Sequence, residues 1–194
     1  LKTLALEAVP DGFAAVRFHN LFSFAREIHD EAADPAFTLL PDDLVSRHLL
    51  RAILRRHFPK EPYLSRAGDY PGPLLAAIHE LKAGAVDPDR AIQAIAEEEL
   101  GLEEAPKLSE ILSLYKRFAE ELRRRKLHER SDVVRLAAER ADRSAAVGRL
   151  AHAIYYGFYE LDQNQTLLLE RVRARVPVTV FIPHRKREGF GYAG

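Results

Sequence analysis

Residues 151–182, AHAIYYGFYELDQNQTLLLERVRARVPVTVFI, decide the fold. The short run 151–156 is rich in aromatic and β-branched side chains, which predicts a strand. Apolar residues then recur at helical spacing over 163–175, and the apolar run 178–182 predicts a second, buried strand. Two strands joined by a helix are typical of parallel neighbours in one sheet, and their crossover is expected to be right-handed.

A similar pattern opens the chain. Residues 14–19 follow the turn signal Pro10-Asp11-Gly12 and predict a strand. Asn20 is a suitable N-cap for a helix that continues to about residue 31. The sequence therefore predicts α/β structure at both ends.

Only helices are predicted between these ends. One opens at Pro41-Asp42-Asp43, with Leu44, Val45, Leu49 and Ile53 among its expected buried residues. Another follows Pro106, and Ser131-Asp132 is expected to cap a later one. We therefore predict an α/β fold, mostly helical overall, in which residues 1–35 and 146–194 form a parallel-sheet portion and residues 36–145 form a large all-helical insertion lobe.

Composition excludes several classes of protein. The 194 residues are 47% hydrophobic and 30% charged with zero net charge, which is ordinary for a globular domain. Cysteine is absent, which rules out disulfides and thiolate metal sites and favours a reducing, cytoplasmic compartment. Methionine is absent too, so we expect an excised or processed piece. No apolar run approaches the roughly 18 residues of a membrane span, so no membrane is expected.

The sequence contains no complete catalytic constellation. It lacks the phosphate-binding patterns GxxxxGK[ST] and GxGxxG, the metal-binding pattern HExxH and the GxSxG serine elbow. The eight histidines are scattered without ligand spacing. We therefore expect no catalytic residue, cofactor or metal site within these residues.

Basic clusters are the remaining candidates for a binding site. Arg123, Arg124, Arg125 and Lys126 end the helix that follows Pro106, and Arg185, Lys186 and Arg187 follow the last predicted strand. Ligands of open α/β sheets bind at the carboxyl ends of strands, which favours the second cluster as a phosphate contact. Helix capping and solubility are the alternative explanation for both clusters.

The order and spacing of the predicted strands, helices and motifs resemble the first motor domain of UvrD-like superfamily 1 helicases. Within that group the sequence most resembles the AddB/RexB-type subunits of bacterial helicase–nuclease complexes. Phe18-His19-Asn20-Leu21 resembles the strand-to-helix segment after the first motor motif. Residues 75–88 and 107–115 resemble passages of the helical insertion. The resemblance runs from about residue 14 to 194 and implies a RecA-like sheet.

The resemblance also implies that the nucleotide chemistry is lost. Active motors end the strand at 153–156 with an Asp-Glu pair that handles magnesium, whereas Gly157 and Phe158 stand at those positions here. Neither side chain coordinates a cation or orients water, so these are degenerate ATPase positions. His184, after the next strand, likewise departs from the Gly-Asp of active motors.

The function implied is that of a non-catalytic helicase-like module in DNA double-strand break repair and recombination. Its parent would be an ATP-dependent helicase–nuclease subunit, and its partners would be single-stranded DNA and a motor subunit of AddA type. His19 and Asn20 join the two basic clusters as expected DNA contacts, because active motors touch the strand with the matching segment. The alternatives are a piece of an active UvrD-like helicase and a helical protein-interaction adaptor without a nucleic-acid role.

Overall fold

The computed structural model describes residues 15–31, 36–97, 104–158 and 160–182. The chain is mostly helical, as predicted. Helices α1 to α9 span Leu21–Asp30, Asp43–His57, Leu64–Ala67, Pro71–Ala83, Pro88–Ala96, Ala105–Arg124, Arg130–Arg140, Ala145–Gly148 and Gln163–Arg173. Within these described ranges, no helix is both long enough and apolar enough to cross a membrane.

The predicted strand–helix–strand unit at the end of the chain is confirmed. Strands β3 (Ala153–Tyr156) and β4 (Val178–Phe181) pair in parallel on either side of α9 in the sequence. Their register places Tyr155 opposite Val180 and Tyr156 opposite Phe181. The prediction that these two segments share one sheet is therefore correct.

The larger RecA-like sheet is not seen in the described part of the chain. Of the predicted first strand, 14–19, residues 15–19 are not part of a strand, and Ala14 lies outside the described residues. The segment is held instead by local contacts: Asn20 caps α1, and Arg17 pairs with Glu27 at 3.0 Å. A strand-like run of six residues forms a strand only when a neighbouring strand pairs with it. Here the described contacts of the segment are those that cap and flank helix α1.

A second parallel pair, β1 (Thr38–Leu39) with β2 (Leu127–His128), was not predicted. It joins two points almost ninety residues apart, so the chain enters and leaves the intervening helices at one place. Helices α2 to α6 lie between these two strands. This geometry is what an inserted lobe requires.

Two hydrophobic cores are present. The lobe core is built from α2, α3, α4 and α6, with Phe118 and Ile78 fully buried in it. The other core collects residues of α1, α7, α8 and α9, with Val133 and Leu168 at its centre. Helix α7 thus packs with the terminal elements, although the sequence assigns it to the lobe ending at residue 145. The division of the chain into two units remains a prediction.

Candidate nucleic-acid interface

Gly157 and Phe158 follow the carboxyl end of β3 directly. Gly157 follows the strand directly with φ of +79°, and open space surrounds its Cα. The Phe158 ring lies 5.7 Å from the Tyr155 ring, centroid to centroid, so its side chain packs on the strand. In the described residues, therefore, neither position offers an oxygen or nitrogen side-chain ligand for a cation or a phosphate.

Tyr155 is the buried member of β3. Its side chain lies on the inner face of the sheet, and burial raises its pKa to about 12. Its hydroxyl oxygen has no hydrogen-bond partner among the described atoms. The inner side of the strand is thus apolar except for one neutral hydroxyl.

His19 and Asn20 stand at the start of α1 and are partly engaged in local structure. The Asn20 side-chain oxygen accepts a hydrogen bond from the Ser23 amide at 2.8 Å, as an N-cap does. The His19 ring lies 3.6 Å from a Glu27 carboxylate oxygen. Of the Asn20 amide, only the NH₂ group is left for an outside ligand.

The basic cluster at the end of α6 divides into two pairs. Arg124 and Arg125 both bind Glu121, at 2.7 and 2.8 Å, and their hydrogen bonds hold the Glu121 pKa at about 2. Arg123 and Lys126 are exposed and form no ion pair within the described ranges. The cluster therefore offers two cations that are not already neutralised by a carboxylate.

Among the described residues, the predicted contacts are not linked to one another by hydrogen bonds or ion pairs. No hydrogen bond or ion pair between described residues joins the His19–Asn20 segment to the basic end of α6. Arg185, Lys186, Arg187 and His184 lie outside the described residues. Local contacts therefore engage the side chains of His19, Asn20, Arg124 and Arg125. The side chains of Arg123 and Lys126 form no ion pair with a described residue.

Sequence reasoning missed a buried polar cluster at the junction of the two cores. Lys82, near the end of α4, contacts Glu129 at 2.7 Å and Asp132 at 2.9 Å. Glu129 also accepts hydrogen bonds from the Ser46 hydroxyl at 2.6 Å and from His79 at 3.2 Å. The Lys82 carbonyl oxygen accepts a bond from the buried Asn164 amide of α9. Because these residues are far apart in sequence, no spacing could have revealed the cluster.

The electrostatics of this cluster are those of a satisfied ionic network. Burial opposes the charge on Glu129, but the bonds from His79, Lys82 and Ser46 prevail and hold its pKa at about 2. The hydrogen bond to Glu129 raises the pKa of His79. A cleft of about 270 Å³ opens beside it, lined by Asp43, Ser46, His79 and Glu129 among others. Ser46 and His79 both donate to the same carboxylate, so neither is arranged as a nucleophile and its base.

In the ranges that the structure describes, no group of three or more histidine, aspartate or glutamate residues is arranged to hold a metal ion. No protein-family model matches the chain. No curated protein matches it either.

Proposed function

We propose that this chain is a non-catalytic helicase-like module of the UvrD-like kind, belonging to a helicase–nuclease subunit of AddB/RexB type. It holds single-stranded DNA during double-strand break repair and docks on a partner motor subunit. The observation that carries this proposal is the parallel β3–α9–β4 unit with Gly157 and Phe158 at the carboxyl end of β3.

That strand end is where a motor of this kind needs two carboxylates. Magnesium and the attacking water are held by charged oxygens in phosphoryl-transfer enzymes. A glycine with positive φ and a phenylalanine packed on Tyr155 supply none. A parallel strand pair whose end carries Gly157 and Phe158 in place of two carboxylates supports a module that does not carry out the reaction.

The DNA-holding part of the proposal is supported by two cations that have no ion-pair partner among the described residues. Arg123 and Lys126 are exposed at the end of α6, where a phosphate would replace water and counterions rather than a carboxylate. The net charge of the chain is zero, so long-range attraction is weak and binding depends on such local groups.

The docking part is supported by the outer face of the β3–β4 sheet. Ile154, Tyr156 and Phe181 are 66%, 53% and 52% exposed, and Tyr156 lies in register with Phe181. Parallel strands are normally covered on both faces, and a contiguous exposed apolar patch marks an interaction site. The motor subunit is the proposed occupant. The same patch also fits the alternative of an adaptor that binds protein and no nucleic acid.

The first test asks whether nucleotide binds. We expect ATP with magnesium to leave the melting temperature of the purified chain unchanged, because the described residues offer no carboxylate at the end of β3. Differential scanning fluorimetry with and without millimolar Mg·ATP measures this. A stabilisation of several degrees would favour the alternative of an active helicase piece.

A further inference from the structure

We propose that a single nucleic-acid strand binds along a row of arginines on α2, with Tyr70 as the platform on which a base stacks. This inference rests on the proposed function, because it names the place where the strand is held. The row consists of Arg47, Arg51 and Arg55. It was not among the contacts expected from the sequence.

The row follows from helical geometry. The three arginines are four residues apart, so they lie on one stripe of α2 with about 6 Å of axial rise between neighbours. All three side chains are exposed, while the buried residues of the helix, such as Leu49 and Ile53, lie on another side. None of the three guanidinium groups forms an ion pair with a described residue, unlike Arg124 and Arg125.

Tyr70 stands beside this row. It is 72% exposed, more than any other large apolar side chain of the described residues, so its ring contributes little to folding. A cleft of about 340 Å³ is lined by Arg47, His48, Arg51 and Tyr70, together with Asp69 and the start of α4. The first turn of α4 contains no acidic residue, and Asp69 lies two residues before the helix begins.

Cations along a helix combined with an exposed aromatic ring are the two components of single-strand binding sites. The arginines meet successive phosphates, and the ring meets the face of an unstacked base. A duplex does not offer its base faces to a side chain, which makes a single strand the preferred ligand. Asp69 is the one carboxylate in the cleft, and it opposes a phosphate.

The test measures binding of a fluorescent oligothymidine by anisotropy across a salt series. Changing Arg47 and Arg51 to alanine is expected to weaken binding at least tenfold at low salt and to reduce the log–log salt slope by about 1.4, at about 0.7 for each lost phosphate contact. The matched control is Arg171→Ala with Arg173→Ala on α9, which removes the same charge from exposed positions that also lack ion pairs.

Two further variants separate binding from structure. Tyr70→Ala is expected to weaken binding about fivefold or more, while Tyr70→Phe keeps the ring and the affinity. Asp69→Asn is expected to strengthen binding, a gain that a purely structural role for the residue would not produce. Melting temperatures of all variants, read by circular dichroism, are expected to stay within a few degrees of the wild type.

The outcomes distinguish this inference from the proposed function. If the wild type binds and the Arg47/Arg51 variant behaves like the α9 control, the α2 site is overturned while strand binding stands. If the wild type does not bind at low salt, both are overturned. Loss of affinity confined to the α2 and Tyr70→Ala variants, with a gain in Asp69→Asn, supports the site.

Discussion

Glu129 is a carboxylate almost without contact with water, and its two oxygens accept hydrogen bonds from Ser46, His79 and Lys82. A buried charge is tolerated only when partners of this kind replace the lost hydration. The same residue is the N-cap of α7, where Asp132 bonds back to its amide in a capping box. One side chain therefore starts a helix and ties α7 to α2 and α4 of the lobe.

This arrangement predicts an acid-dependent stability. The folded pKa of Glu129 is about 2 and the unfolded value is near 4.5, so its contribution is complete above about pH 4.5 and is lost as the pH falls towards 2. The full contribution is about 3 kcal/mol, at 1.36 kcal/mol for each pKa unit. Glu129→Gln is expected to lower the free energy of unfolding by about 3 kcal/mol at pH 7 and by clearly less at pH 3.

Urea denaturation at the two pH values measures both quantities. The matched control is Glu120→Gln, because Glu120 pairs with Arg117 only at the surface and is expected to contribute less than about 0.5 kcal/mol. If the free energy of unfolding differs between the wild type and Glu129→Gln by the same amount at pH 3 and at pH 7, the charge of the carboxylate is not what stabilises the fold.

At the scale of elements, β3 ends in a conformation that glycine favours. Gly157 has φ of +79°, and L residues occupy that region with strain even though no atom lies within 4 Å of an added Cβ. Gly157→Ala is expected to destabilise the chain by about 1–2 kcal/mol. Gly84→Ala, at a helix end with φ of −73°, is expected to change stability by less than about 0.5 kcal/mol.

Chemical denaturation of both glycine variants decides the point. Equal changes in the free energy of unfolding for Gly157→Ala and Gly84→Ala would mean that the turn after β3 does not depend on the left-handed conformation. A clear difference would show that the turn after β3 depends on the left-handed conformation of Gly157.

Elements were predictable wherever local pattern and packing agree. The segments that became β3, α9 and β4 have strong apolar periodicity, and all three form. In α2 the bounds were close, but the buried face was partly wrong: Leu44 and Val45 are exposed while Ser46 is buried. Ser46 is buried because its hydroxyl donates a hydrogen bond to Glu129, eighty-three residues away. A local sequence pattern cannot predict a contact over that distance. Likewise Glu129, rather than Ser131 or Asp132, is the N-cap of α7.

At the scale of the whole molecule, the inserted lobe stays a prediction of the sequence, and the β1–β2 pairing at the two ends of the predicted lobe was not foreseen. Strands β1 and β2 have two residues each, too few for a periodic signal, and their pairing is a long-range event. The buried Lys82–Glu129–Asp132 network and the Asn164 bond to the Lys82 carbonyl also join distant segments. For the candidate site, the lack of a carboxylate at Gly157 and Phe158 could be read from the sequence, whereas the arginine row needed Tyr70 beside it to suggest a ligand.

The central claim is that the chain holds a DNA strand without using nucleotide. The most direct measurement is the dissociation constant for a fluorescent oligothymidine at low salt, with and without Mg·ATP. We expect measurable, salt-sensitive binding whose dissociation constant is the same in both conditions, because neither the Gly157 nor the Phe158 side chain can bind magnesium. Absence of binding at low salt, or a dissociation constant that changes severalfold with Mg·ATP, would contradict it.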